Sequence, residues 1–341
     1  MPQLPDLVDE ADWLARARAG DNAAFDRLVA PRRRQLHAHC YRMLGSPFDA
    51  DDALQETLLA AWRGIASFEG RSALGTWLYR IATHVCLRLI SQRPRRITSP
   101  DHGAPLQATA ELGEPVAGPV WLEPLPDAEW VGTHEDPSTT LQRRESVALA
   151  FVAALQHLPA TQRAVLLLRE VLEYSAAEAA EMLDTSVASV NSALQRAQKT
   201  MKERTPAAVE PGGQQWLGEH HADGLLQRFV SAWESCDIDA MASLLAEDAR
   251  FTMPPLPAWF DGRRFALMFF AERVFETPWR LQPLRGNGQP GFACYMKHPG
   301  ADRFTPGGVV LLRLRDGLIA SIDSFIDPAV CRRFGMPDEL I

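Results

Sequence analysis

Apolar positions recur at helical spacing through the first ninety residues. Phe25, Leu28, Val29 and Leu36 form one stripe, and Leu54, Leu58, Ala61, Trp62 and Ile65 form another. Nothing there alternates with period two, so a run of helices is predicted from about residue 12 to residue 92. A second helical block is predicted from Leu141 to about Glu203. Val147, Phe151, Ala154, Leu155 and Leu158 share its first stripe before Pro159, and Val165 to Leu168 follow. Past the Glu210-Pro-Gly-Gly break the pattern changes. A helix carrying Leu225, Leu226, Phe229, Val230 and Trp233, and another with Leu244 and Leu245, precede strand-like runs at 292–296, 309–315 and 318–325. Asp316-Gly317, between the last two runs, is the signature of a tight hairpin turn. Helices followed by antiparallel strands predict an α+β domain with one curled sheet. The expected fold class is therefore multidomain, with two all-α domains and then an α+β domain.

The two helical blocks are separated by a stretch from Pro94 to Pro137 that is rich in proline and glycine and has no sustained periodicity, which predicts a linker. Its Trp-Leu-Glu-Pro-Leu-Pro-Asp-Ala-Glu-Trp core, residues 121–130, is too apolar for a passive spacer and is expected to dock on something. Charge sharpens the division. Six arginines (71, 80, 88, 93, 95 and 96) and no acid lie between Arg71 and Arg96, whereas eight acids and no Lys or Arg lie between Ile97 and Thr140. The net charge of −8 argues against indiscriminate nucleic-acid binding, while a local basic face still holds phosphate. The five cysteines are scattered and never form a Cys-x-x-Cys pair, so neither a disulfide framework, a metal site nor a cofactor is expected. No apolar run is long enough for a membrane span, and the first residues are acidic, so a cytoplasmic protein is expected.

Two segments carry candidate chemistry. From Ser175 to Lys199 the chain reads as a helix-turn-helix. Ser175 and Glu178 form a capping box, small Ala180 lets the second helix approach, and Asp184 stands where a left-handed residue is wanted. Val187, Val190 and Ala193 are expected to face inward. The outward face of the second helix, which starts at Ser186, then carries Ser189, Asn191, Ser192, Gln195, Arg196 and Lys199, the side-chain types that read base edges and hold phosphates in a major groove. In the first block, Trp77, Tyr79, Arg80 and His84, with Arg88 further on, mix flat rings with cations, as splayed single-stranded bases require. The helix before it opens with acids and leaves Asp49, Asp52, Gln55, Glu56 and Leu59 as a mixed polar and apolar face suited to a protein contact.

Taken together, the segments Asp49-Ala-Asp-Asp-Ala-Leu-Gln-Glu-Thr-Leu-Leu-Ala-Ala-Trp62, Trp77-Leu-Tyr-Arg-Ile-Ala-Thr-His84 and the helix-turn-helix resemble the RNA polymerase sigma-70 family in its extracytoplasmic-function branch. The resemblance covers about residues 10 to 205. It implies that residues 10–95 are sigma region 2, which contacts core polymerase through Asp49, Asp52, Gln55, Glu56 and Leu59 and the melted minus-10 strand through Trp77, Tyr79, Arg80, His84 and Arg88. Residues 141–205 would be region 4, reading the minus-35 duplex through Ser186, Ser189, Asn191, Ser192, Gln195, Arg196 and Lys199. The partners so implied are the beta-prime clamp and beta flap of core polymerase and promoter DNA. His84 departs from the family, which usually has Asn there. The acidic linker, residues 96–140, either threads the polymerase's basic cleft or is a solvated tether.

The linker motif and the extra domain, residues 215–335, resemble a subgroup that carries a SnoaL-like domain of NTF2-like, cone-shaped fold. Its candidate pocket residues are Trp259, Asp261, Arg263, His298 and Asp323. By that resemblance the domain modulates the sigma activity in cis, with room for a small-molecule ligand and without catalysis. The alternatives are an enzyme of polyketide-cyclase or epoxide-hydrolase type in residues 211–341, built around an Asp and a His, and a helix-turn-helix regulator that acts without polymerase.

Overall fold

The computed structural model describes residues 6–130, 146–204 and 219–340. The end of the expected linker and the Glu210-Pro-Gly-Gly break lie outside the described residues. The chain forms two compact units, Met1–Pro94 with Ala128–Thr140 and Leu155–Met201, and Arg95–Asp127 with Leu141–Ala154 and Lys202–Ile341.

In the first unit, five helices precede the linker: α1 (Asp6–Arg18), α2 (Asn22–Val29), α3 (Arg33–Leu44), α4 (Pro47–Gly64) and α5 (Leu74–Gln92). Local signals fix several ends. Asp21 caps α2 by accepting from the backbone of Ala23 and Ala24, Gly45 closes α3 at φ +73°, and Ser46 caps α4 just before Pro47. The buried stripe of α4 is made of small residues, Ala50, Ala53, Thr57 and Ala61, so α3 and α5 pack close to it. Inside, His39 is fully buried, and its Nε2 lies 3.0 Å from Thr83 Oγ1. The Thr83 hydroxyl donates to Tyr79 O at 2.7 Å, so His39 Nε2 must carry the proton and donate. Nδ1 is left buried without a partner, and burial, helped by Arg42, pushes the imidazole down to about 3.

The described part of the second helical block contains α7 (Leu149–Gln156), α8 (Ala160–Leu166), α9 (Ala176–Met182) and α10 (Val187–Arg204); the short α6 (Ser99–His102) precedes them. The Ser175–Glu178 capping box forms in both directions, and Asp184 adopts φ +50° at the turn. Val190 and Ala193 face the core with Ala179, Ala180 and Met182. Val187 does not: in the first turn of α10 it is 44% exposed, because the helix begins beyond the reach of α9.

The second unit holds α11 (Glu219–Glu234), α12 (Ile238–Leu244), α13 (Arg263–Glu272), α14 (Pro328–Arg333) and a six-stranded sheet. Its strands are β1 (Leu245–Thr252), β2 (Trp259–Asp261), β3 (Trp279–Gly286), β4 (Gln289–Met296), β5 (Thr305–Arg315) and β6 (Leu318–Phe325), in the order β2-β1-β6-β5-β4-β3. All pairs are antiparallel except β1 with β6. Asp316 and Gly317, both at positive φ, form the expected hairpin turn, and Asn287-Gly288 repeats it between β3 and β4. Leu245 ends the predicted second helix and starts β1 instead. The Ala-Glu-Asp-Ala run that follows has helical propensity, which pairing with β2 and β6 overrides, at the expense of an irregularity between Leu245 and Arg250. Pro283 is tolerated in β3 because β3 is an edge strand. One face of the sheet wraps an aromatic core in which Phe229, Trp233, Phe251, Phe269, Phe270 and Phe292 pack with ring centroids about 5 Å apart.

Residues 95–127 belong to this second unit and are no solvated tether. Trp121, Leu122 and Leu125 are buried, and Leu106 and Leu112 pack against the aromatic core. Leu106 N donates to Trp259 O and Val116 N to Pro255 O. Thr109 Oγ1 donates to Glu272, and Arg273 donates to the carbonyls of Thr109 and Ala110. The buried side chain of Asn287 accepts from Leu125 N at 2.8 Å and donates to Val147 O at 2.6 Å. Backbone groups that an exposed linker would leave to water are thus satisfied by the domain that follows it.

Candidate nucleic-acid interface

On α5, positions 77, 80, 81, 84, 85 and 88 recur at three- and four-residue steps and so share one face. With Ala60 of α4 they line a groove whose floor is Trp77, Ile81, Val85 and Ala60 and whose rim is Arg80, His84 and Arg88. Trp77 is fixed by its ring contact with Phe68, centroids 4.9 Å apart. A flat apolar floor beside cations is the arrangement on which an unstacked base sits while its phosphates are held. Four of the five residues expected for the melted strand are thereby brought together. Tyr79 is not among them. Two positions round from Trp77, it points the other way and meets His39 at 5.4 Å and Tyr174 at 6.3 Å. Ile81 and Val85 were missed, although their spacing from Trp77 marks them as the same stripe.

The rim side chains already have partners within the first unit. Arg80 Nη2 lies 2.6 Å from Asp184 Oδ1, His84 Nε2 lies 2.9 Å from Met182 O and 3.5 Å from Asp184 Oδ2, and Arg88 pairs with Glu56.

On α10, Asn191, Ser192, Gln195, Arg196 and Lys199 are all exposed, on the face opposite Val190, Ala193 and Ala197. Ser186 and Ser189 are also exposed, but Ser186 Oγ accepts from Ser189 N at 3.2 Å and lies 2.9 Å from Ser189 Oγ, so this pair starts the helix. Val187 adds an apolar contact beside them, of the kind that suits a thymine methyl.

On α4, Asp52, Gln55 and Leu59 are exposed, with Leu59 at 48%. Phe48, 36% exposed, extends the row by one turn. An aromatic one turn before Asp52 was the available signal for it. Asp49 is drawn inward instead: it is buried and accepts from Arg93, which also lies 3.5 Å from Asp52.

Of the five pocket candidates of the second unit, Trp259, Asp261 and Asp323 share one face of the sheet through their register with Thr252 and Arg250, whereas Arg263 and His298 lie elsewhere. Trp259 is buried, its Nε1 donating to Gly103 O at 2.8 Å, and Asp261 is exposed and paired with Arg250. Arg263 donates to Leu245 O at the start of α13, and His298 is exposed in the turn after β4. Asp323 neighbours Ile322, which faces the aromatic core, and so projects from the opposite face of the sheet. There it accepts from Thr252 Oγ1 and Ser321 Oγ, both at 3.0 Å. Burial pushes its carboxyl above the usual range, opposed by Arg313 and those hydroxyls. An acid–base pair with His298 is not formed.

Sequence comparison finds three matches along the chain. Sigma-70 region 2 matches residues 28–96, sigma-70 region 4 matches residues 148–201, and a SnoaL-like domain matches residues 226–322. The chain belongs to the extracytoplasmic-function branch of the RNA polymerase sigma-70 family, and is an alternative sigma factor that directs transcription and carries a SnoaL-like C-terminal domain. It is 41% identical over 339 residues to the ECF RNA polymerase sigma factor SigG of Mycobacterium tuberculosis strain H37Rv, covering 96% of this chain and 86% of that one. SigM of the same organism is 31% identical over 188 residues, which is 55% of this chain and 80% of SigM. The fold is that of the crystal structure of M. tuberculosis SigJ, 21% identical, with a TM-score of 0.58 over 89% of this chain and 97% of SigJ. The family is not enzymatic, and the reading of a regulator acting without polymerase falls. Among the described residues no helix is long and apolar enough to cross a membrane.

Proposed function

We propose that this sigma factor holds the melted minus-10 strand in the α5 groove, reads the minus-35 duplex with α10, and meets core polymerase through Asp52, Gln55, Glu56 and Leu59 of α4, with the beta flap engaged from the second helical block. The observation that carries the reading is the groove, where one face of α5, with Ala60 of α4, supplies an apolar floor and Arg80, His84 and Arg88 supply the rim. The work takes place in the cytoplasm, where polymerase and promoters are.

We infer further that the C-terminal domain modulates initiation in cis, without turnover, by holding the linker. Asp261 and Asp323 share a sheet face, but His298 stands in the turn after β4 and Asp261 is paired with Arg250, so nothing here supports acid–base chemistry. The seating of Leu106, Thr109 and Leu112 supports the linker, in preference to a small molecule, as the domain's occupant. A linker held there is withheld from the polymerase cleft to which its acids are suited.

The test is in vitro transcription with core polymerase, comparing the full chain with Arg273→Ala. That exposed side chain donates to the linker carbonyls of Thr109 and Ala110 and takes no part in the sheet. A changed level of initiation, with unchanged affinity for core polymerase, is the expected result. An unchanged level would end the cis reading, and failure of both proteins to initiate with core polymerase bound would end the assignment of the DNA-binding faces.

A further inference from the structure

All six arginines between Arg71 and Arg96 have a carboxylate within ion-pair distance. Arg71 meets Glu69, Arg88 meets Glu56, Arg93 meets Asp49 and Asp52, Arg95 meets Asp101 and Arg96 meets Glu123. Each of these acids comes from within region 2 or from the linker that follows it. Arg80 differs, because its partner, Asp184, is the turn of the helix-turn-helix.

The contact is built from several parts. Asp184 Oδ1 lies 2.6 Å from Arg80 Nη2, and Oδ2 lies 3.5 Å from His84 Nε2, which is also 2.9 Å from the carbonyl of Met182 at the end of α9. Beside it, Tyr79 packs against the cluster of Val165, Leu168, Ala179 and Met182 and meets the Tyr174 ring. Asp184 holds its carboxylate there from a backbone at φ +50°, a conformation that glycine takes with less strain and asparagine as readily. The turn geometry alone does not ask for a charge, whereas the position opposite Arg80 and His84 does. A carboxylate facing those two side chains stands where a phosphate oxygen would stand on the rim of the groove.

We propose that Asp184 is a cis-acting stand-in for the promoter-strand phosphate: in the closed first unit it latches region 4 onto Arg80 and His84, and single-stranded DNA must displace it to enter the groove. The proposal rests on the minus-10 reading of the α5 groove. It makes minus-10 binding and release of the helix-turn-helix a single competitive event, because Arg80 and His84 cannot serve both anions. The apparent affinity of the groove is then reduced by the fraction of molecules that are latched.

Asp184→Asn tests this, since asparagine keeps the turn and the size of the side chain and removes only the charge. Two measurements on the full chain are needed. One is fluorescence anisotropy with a labelled single-stranded deoxyoligonucleotide of mixed sequence. The other is hydrogen exchange of the peptides that span residues 77–88 and 176–190. The expected result is binding tighter by about fivefold, the scale of one exposed ion pair, together with faster exchange in both peptides. Equal affinity of the two proteins overturns the latch and leaves the minus-10 reading standing. Unchanged exchange overturns it as well, since the turn is then held without Asp184. Binding by neither protein removes the minus-10 reading, and the proposed competition with it.

Discussion

His39 is a base that the fold keeps neutral. An unfolded histidine takes up its proton near pH 6.5, whereas His39 resists until about 3. The unfolded chain therefore binds more protons through that window, so the residue's contribution to stability is whole above pH 6.5 and is lost as pH falls toward 3. Between pH 7 and pH 5 the loss from this residue is about 2 kcal/mol. Denaturant unfolding at the two pH values checks it, and His39→Gln, which keeps a donor for Thr83, should flatten the difference. Arg196, exposed on α10, gives a second expectation. Arg196→Ala should weaken promoter binding by about 1–3 kcal/mol if it reads a base edge in a bidentate pair, and by less, with a shallower salt slope, if it holds only phosphate. Affinity measured at two salt concentrations separates the cases, and an unchanged value removes Arg196 from the interface. The legible residues are those whose role is local. Ser175, Glu178 and the Asp316-Gly317 pair act within a turn of chain, whereas the turn at Asp184 was legible and the reach of its carboxylate to Arg80 was not. Val187 was misread because its burial depends on how far α9 reaches, which spacing does not encode, and Tyr79 because a ring beside arginines looks alike on either face of α5.

Among elements, α4 presents two sides with different tasks. Ala50, Ala53, Thr57 and Ala61 bury against α3 and α5, and Phe48, Asp52, Gln55 and Leu59 face outward one turn apart. Phe48 and Leu59, both exposed on that outward face, offer a partner an apolar contact beside Asp52 and Gln55. Leu59→Asp should therefore reduce co-purification with core polymerase about tenfold or more, with helix content unchanged by circular dichroism. Normal co-purification would move the contact elsewhere. This face was legible because helical periodicity separates inside from outside over eighteen residues. The strands were legible only in part. The runs containing Phe292, Val310 and Ile322 announce themselves by β-branched and aromatic content. Leu245–Thr252 and Trp279–Gly286 do not, the first beginning where a helix was expected at Leu245 and the second carrying Pro283; what makes them strands is pairing, with β6 far along the chain for the first and with the next strand for the second.

The division into domains by sequence places residues 96–140 between two helical blocks, and in chain order they are there. In space residues 96–127 belong with strands that begin more than a hundred residues later. The apolar Trp121, Leu122 and Leu125 showed that something must cover them. Only the tertiary structure shows that the cover includes Asn287, at the tip of the β3–β4 hairpin. The same pair of hydrogen bonds sets an order in time. A ribosome adds roughly 5–20 residues each second, so the linker emerges on the order of 10–40 s before β6 is complete. Once the second helical block is made and until β6 follows, each nascent chain carries both helical regions and an unseated linker, and a message cut short before the sheet would yield a protein permanently in that condition.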